Sequence, residues 1–353
     1  MSQTPARCLL RPLTLWLVAA ALAVGALGGG AQEEAAADTG ITSGVISGLS
    51  WRTVGPAFMS GRISEIAVDP TDHDTWYVAA SSGNAWKTTN GGITWTPIFE
   101  NYGSYSLGTI VVDPKNPNVI WIGTGENNSQ RSVGYGDGIY KSVDAGKSFR
   151  RMGLEDSEHI ARILIHPDDS DTVYVAAQGP LWSDGGDRGV YMTGDGGETW
   201  TKILDISPMT GVSDLVMDPR DPDVLYAAAY QRRRHVWTLL DGGPESGIHK
   251  STDGGESWNE LTRGLPSGDK GRIALAISPQ DPDVVYALVD AADDQQGTYV
   301  STDAGASWEK RSSYVAGSPQ YYQELTVDTH QFDRVYSMET FPPVTEDGRR
   351  RWS

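Results

Sequence analysis

The chain has 353 residues, 39% hydrophobic and 21% charged, the composition of a folded protein with ample interior rather than of a disordered one. With 28 Lys and Arg against 46 Asp and Glu the net charge is −18, which opposes binding to nucleic acid or to anionic lipid. Gly (41) and Pro (19) abound without collagen periodicity, pointing to many turns between short strands, and 12 Trp against 5 Phe ask for a repeated structural use.

In chain order, residues 1 to 31 carry Arg7 and Arg11, an apolar run from Leu13 to Leu27, and small residues from Gly28 to Ala31. This reads as a secretory signal peptide, because about 15 apolar residues are fewer than the roughly 20 that span a bilayer. The expected destination is the periplasm or the medium, with no stable membrane insertion after cleavage. The single cysteine, Cys8, precedes the apolar run, so the mature chain is expected to hold no disulfide, thiol nucleophile or thiolate metal site. Residues 32 to 48 read as a flexible leader, and residues 49 to 353 as the folded domain.

That domain repeats one unit six times. The pattern S/T-x-D/N-x-G-x-S/T-W recurs as TTNGGITW (88 to 95), SVDAGKSF (142 to 149), TGDGGETW (193 to 200), STDGGESW (251 to 258) and STDAGASW (301 to 308), with a degraded copy, TEDGRRRW, at 345 to 352. Ahead of each box, Asp69, Asp113, His166, Asp218, Ser278 and Asp328 are followed at one fixed offset by Tyr77, Trp121, Tyr174, Tyr226, Tyr286 and Tyr336. In the first unit, extended segments are expected at Ile63 to Val68, Trp76 to Ala80, Ala85 to Thr88 and Thr94 to Phe99, separated by Asp-Pro and Gly-Gly turns. Four short antiparallel strands repeated at roughly 50-residue intervals predict an all-β fold, a β-propeller of four-stranded blades. The box residues Asn90, Asp144, Asp195, Asp253, Asp303 and Asp347 are assigned a structural role: the side chain caps its own turn, glycines supply positive φ, and the Trp buries a face beneath the turn.

These boxes resemble the Asp-box, or BNR, repeat of sialidases, xyloglucan-active glycoside hydrolases, the sortilin (VPS10) propeller and a photosystem II assembly factor. The stretches WRTVGPAFMSGRISEIAVDP, WIGTGENNSQRSVGYGDGIYKS and GPLWSDGGDRGVYMTGDGGETW look like those of large exported bacterial proteins labelled sortilin-like or BNR-repeat glycosyl hydrolase. The resemblance runs from about Trp51 to the last residue, and it implies further blades. Either the chain is a fragment, or the stretch Ser50 to Val54, which resembles the fourth strands SWNELT and SWEKRS, closes the ring.

Turns after strands two and four of a meander share one face, and every long insertion falls there. Its candidate ligand-binding residues are Arg131, Tyr135, Trp182, Arg188, Arg232, Arg233, Arg234, Trp237, Tyr321 and Tyr322, since aromatic platforms beside arginines suit sugars or extended peptides. The candidate catalytic acids are Glu126, Asp137, Asp184 and Asp187, from which a glycosidase would need two carboxyls about 5 to 9.5 Å apart. The aspartate that the xyloglucan-active resemblance implies in a Thr-Asp-x-Gly-Gly element falls here on Ala80-Ser81-Ser82-Gly83-Asn84, where the acid is replaced by serine. The Arg-Ile-Pro element of sialidases lacks its proline at Gly61-Arg62-Ile63-Ser64. The histidines have no metal-ligand spacing, and no nucleophile elbow or Walker loop occurs, so no metal or cofactor is expected. The resulting expectation is an exported, non-catalytic module that binds a peptide, protein or glycan; the alternative is a glycoside hydrolase using a loop carboxylate pair.

Overall fold

The structure, a computed structural model, describes residues 62–292, 294–346 and 351–353. The signal segment, the leader, the Trp51 stretch and the box residue Asp347 lie outside the described residues.

The described residues form six blades in chain order. Blade 1 holds β1 (Ile63–Asp69), β2 (Asp72–Ala80), β3 (Asn84–Thr88) and β4 (Thr96–Pro97); blade 2 holds β5 (Leu107–Val112), β6 (Ile120–Thr124), β7 (Ile139–Ser142) and β8 (Arg150–Arg151). Blade 3 comprises β9 (Ile160–His166), β10 (Asp169–Ala177), β11 (Gly189–Thr193) and β12 (Thr201–Leu204). Blade 4 comprises β13 (Thr210–Asp218), β14 (Asp221–Arg234), β15 (Leu239–Asp241), β16 (Gly247–Ser251) and β17 (Asn259–Leu261). Blade 5 runs through β18 (Lys270–Ile277), β19 (Val285–Ala291), β20 (Gly297–Ser301) and β21 (Glu309–Ser312), and blade 6 through β22 (Leu325–Val327), β23 (Val335–Ser337) and β24 (Val344–Thr345). Each sheet is an antiparallel meander, with β15 added to β14 as a side hairpin. The prediction of an all-β propeller holds, and no described helix is long and apolar enough to cross a membrane.

The boxes fold alike because their side chains replace missing backbone partners. In blade 2, Ser142 Oγ donates to Asp144 Oδ1 at 2.8 Å while accepting the Gly146 amide, and Asp144 accepts the Ser148 amide and hydroxyl at 2.9 and 2.6 Å. The same set recurs around Asp195, Asp253 and Asp303. In blade 1, Asn90 Oδ1 accepts the Thr94 amide at 2.9 Å, and its Nδ2 donates to Thr94 Oγ1 where an aspartate would accept. The turn needs a left-handed residue, and Ala145 and Ala304 adopt it at φ 60° and 53° where other boxes have glycine.

The box tryptophans bury themselves differently from the expectation. Those of blades 3 and 5 wedge against the preceding blade: Trp200 donates Nε1–H to the Met152 carbonyl and meets Trp121 edge-on at 6.2 Å, while Trp308 packs with Tyr226 and Ile248 of blade 4. Trp95 of blade 1 instead folds back on its own box, donating Nε1–H to the Gly92 carbonyl at 3.0 Å beside Trp76, and remains 38% exposed. The first strands show the same asymmetry. Three residues before each motif Asp, His or Ser, Ile110, Ile163, Leu215, Leu275 and Leu325 are at most 7% exposed within inter-blade clusters, whereas the equivalent Ile66 is 55% exposed. The core is thus a series of blade-to-blade interfaces, and among the described residues none packs over the outward face of blade 1 as the other blades are packed.

Candidate active site

One step closer to the start of each first strand, the charged side chains of several blades converge on the axis of the ring. The positions four residues before the motif residue are Glu65, Thr109, Arg162, Asp214, Ala274 and Glu324. Arg162 joins two of these acids, donating from Nη1 to Glu65 at 2.8 Å and from Nε to Asp214 at 3.2 Å. Asp214 also accepts the Leu215 and Leu275 amides, so it ties blade 4 to blade 5. Burial pushes the Glu65 carboxyl up, against the pull of Arg162. Burial likewise raises Glu324, opposed by Arg272 and Arg162 and reinforced by Glu65 and Asp214.

On the long-loop face a cleft of about 370 Å³ opens between blades 1 and 6, lined by Arg62, Asn127, Tyr321, Tyr322, Glu324 and Glu339 among others. The Arg62 guanidinium lies 4.4 Å from the Tyr321 ring centre, bonds its hydroxyl and pairs with Glu126. Tyr321 and Tyr322 meet edge to face at 4.5 Å. Asn127 Nδ2 donates to Glu324 at 3.3 Å, and Arg272 reaches the same oxygen at 3.4 Å. Glu339 accepts the Tyr314 hydroxyl and the Gly317 amide. Leu325 pairs with Ser337, and the Met338 amide bonds the Glu324 carbonyl. Glu324 and Glu339 therefore flank the end of the β22–β23 pairing, and both line the cleft.

The predicted site residues scatter. Tyr321 and Tyr322 line the cleft. Glu126 lies beneath it, fully buried and bonded by Arg62, Ser82 and Asn128, so it positions Arg62 rather than facing a substrate. Ser82, in the element where the resemblance implied an acid, donates to that same carboxylate at 3.0 Å. Asp137 accepts Tyr140 and is near Arg151, Asp187 accepts Tyr191 and the Asp156 amide, and Asp184 pairs with Arg233 on the surface; these three acids do not share the cleft.

Three arginines expected to meet a ligand are instead buried and serve carbonyl oxygens. Arg188 donates to the carbonyls of Gln178, Pro180, Ser183 and Gly185, Arg232 to those of Asn128 and Gly179, and Arg234 to that of Ser129. Burial lowers Arg188 to about 10 and Arg232 to about 9, consistent with their exclusion from water. Trp182 is half-buried beside Tyr135, whereas Arg131, Tyr135 and Trp237 are exposed. His159 is buried under this loop layer, its Nδ1 2.9 Å from the Glu126 carbonyl, and burial holds it neutral. Among the described residues no group of three or more His, Cys, Asp or Glu is placed to hold a metal ion. Sequence reasoning missed Glu324, Glu339 and the axial charges; the available signal was one charged residue at a fixed offset inside otherwise apolar strands.

Comparison with known proteins adds a direction. A family model described as sortilin, neurotensin receptor 3, matches residues 137–267. Over 305 residues the chain is 25% identical to a probable oligoxyloglucan-reducing end-specific xyloglucanase of Neosartorya fischeri, covering 73% of this chain and 35% of that protein. It is also 25% identical over 245 residues to a xyloglucanase of a Paenibacillus species, covering 61% of this chain and 22% of the relative. The chain thus spans between about a fifth and a third of these relatives. Among solved structures, the GH74 xyloglucanase from Xanthomonas campestris superposes with a TM-score of 0.63 at 19% identity, covering 82% of this chain and 45% of that one, a likeness of fold. These matches overturn the expectation of a non-catalytic binding module, because the relatives it resembles in sequence are glycoside hydrolases.

Proposed function

We propose that the chain is the catalytic part, or one wall of the catalytic part, of a glycoside hydrolase acting on a β-glucan of the xyloglucan type. The observation that carries this reading is the cleft that holds Glu324 and Glu339 beside the Tyr321 and Tyr322 rings. A glycosidase needs one carboxyl kept protonated and a second kept as carboxylate across the scissile bond. Glu324, raised by burial, gives its proton to the glycosidic oxygen as the anomeric C–O bond breaks. Glu339 takes a proton from the water that attacks the anomeric carbon, and both groups then exchange with solvent. The tyrosine rings offer apolar faces to the sugar and the Arg62 and Asn127 donors offer hydrogen bonds to its hydroxyls. We read the boxes as Asp-box repeats and the first 31 residues as an export signal, which suits a polymer found outside the cell.

The test is release of reducing ends from xyloglucan by the full chain, with affinity gel electrophoresis in the same polymer. Glu324→Gln should lower kcat by about 10² to 10⁴-fold while keeping polymer binding. The wild-type rate should fall as pH rises through the raised Glu324 value, because the donor must be protonated. A chain that neither binds nor cleaves any β-glucan, or a Glu324→Gln variant with the wild-type rate, would remove the reading.

A further inference from the structure

The second strand of blade 4 is 14 residues long against 5 to 9 in blades 1, 2, 3 and 5. Its extra length rises off the long-loop face and pairs with β15 through Arg232↔Asp241, Arg233↔Leu240 and Arg234↔Leu239. At the tip, His235 and Thr238 close the turn, and Trp237 projects into water with 79% of its surface exposed. Its indole is not loose: it lies 5.3 Å from the His235 ring at 10°, a parallel stack that leaves the opposite indole face open.

What holds the stem is unusual for a surface hairpin. Arg232 reaches the Asn128 carbonyl at 2.8 Å and Ser129 Oγ at 3.0 Å, Arg234 grips the Ser129 carbonyl through two nitrogens at 2.9 and 2.8 Å, and Arg233 pairs with Asp184. Burying guanidinium groups carries a large desolvation penalty, and the tip they brace leaves Val236 and Trp237 largely in solvent. The loop they grip also carries Asn127 and Asn128 of the cleft and is tied to blade 6 by the Ser129 amide on the Gln320 carbonyl. Cleft and fingertip are therefore mounted on one braced loop, so their spacing is fixed.

We infer that Trp237 is a distal sugar platform, stacking a pyranose ring of the polymer whose scission site occupies the Glu324 cleft. This rests on the glycan-hydrolase reading above. The C–H face of a β-glucan pyranose matches an open indole face, a rigid aromatic loses little entropy on binding, and a fixed distance to the cleft selects for chain length. The arginines act as positioning residues for that platform.

The experiment compares xyloglucan polymer with a tetrasaccharide-backbone oligosaccharide, using the full chain and the Trp237→Ala and Trp237→Phe variants. Trp237→Ala should raise KM for the polymer about tenfold with kcat unchanged, Trp237→Phe should recover most of the loss, and the short oligosaccharide should show no change. The thermal midpoint should stay at the wild-type value, since the side chain is exposed. In a Glu324→Gln background, Trp237→Ala should weaken retardation in a xyloglucan gel by the same factor. An unchanged polymer KM in an enzyme that does cleave xyloglucan overturns the platform alone. An equal loss on the short oligosaccharide also overturns it, because the effect would then not depend on reach. A wild-type chain inert towards every glycan overturns the underlying hydrolase reading together with it.

Discussion

Leu215 and Ile66 occupy the same place in their blades, three residues before Asp218 and Asp69, yet they should respond oppositely to truncation. Leu215 is fully buried in a cluster with Ala161, Tyr174, Val212 and Leu225, so the interface between blades 3 and 4 closes around it. Leu215→Ala removes three carbons from a packed site and leaves a cavity whose walls belong to two sheets, which should cost about 3 kcal/mol. Ile66 has more than half its surface in solvent, so Ile66→Ala loses little burial and should stay below about 1 kcal/mol. Urea unfolding followed by tryptophan fluorescence gives both changes as midpoint shifts at constant m. Comparable losses in the two variants would refute the argument, because they would mean that the face of blade 1 is covered in solution.

The remaining expectations concern charge. Asp290 is pushed up to about 6 by burial and then by nearby Asp241, so the folded state holds a proton that the unfolded state releases near 3.8. Its contribution is complete below 3.8 and is lost as pH rises through 6. Asp290→Asn should therefore raise stability at pH 7 by about 2 kcal/mol, discounted for partial exposure, and change nothing at pH 4 in matched denaturation curves. The box acids run the other way: serine hydroxyls and backbone amides hold Asp144 and Asp253 down to about 2, so their contribution is present above about 4 and is lost as pH falls through 2. Asp253→Ala should lower the thermal midpoint at pH 7, and the difference from wild type should shrink below pH 3; a difference independent of pH would sink the account.

The fold was legible because propeller blades are written in turn chemistry. A box of Ser or Thr, Asp or Asn, and Gly fixes a turn locally, and six copies in constant order leave one architecture. What the tryptophans touch was not legible, since a wedge against the preceding blade is a tertiary contact that the box does not encode. The site was legible only in part. Tyr321 and Tyr322 were found as an aromatic pair in an irregular loop, but Glu324 sits at a position whose residue type varies from blade to blade, and its partner Glu339 lies in no repeated motif. The run Arg232 to Arg234 misled because consecutive arginines beside loop aromatics suggest a ligand-facing surface. On a strand, positions two apart share a face, so Arg232 and Arg234 turn inward together and Arg233 outward.

The cleft and the uncovered face of blade 1 have one cause. Where a blade meets its predecessor through a buried Ile or Leu and a wedged Trp, the interface is filled and has no room for a ligand. Four of the five interfaces between consecutive blades are of this kind, and between blades 1 and 2 Phe149 takes the place of the Trp beside the buried Ile110. Between blades 6 and 1 the same positions do not meet: Ile66 and Trp95 face solvent, and a cation, two tyrosines and two carboxyls stand in the gap instead. Among the described residues, the interrupted repeat leaves room at this seam for polar groups that a filled interface would exclude. The charged first-strand positions need no such interruption, because their ion pairs and hydrogen bonds join one blade to another. It follows that the way to abolish the site without touching its carboxyls is to fill the seam. Ser64→Leu, placed on β1 at the edge of the cleft, should block polymer binding while leaving the thermal midpoint unchanged or raised. A variant that still binds xyloglucan with wild-type affinity would show that the polymer does not run through this gap.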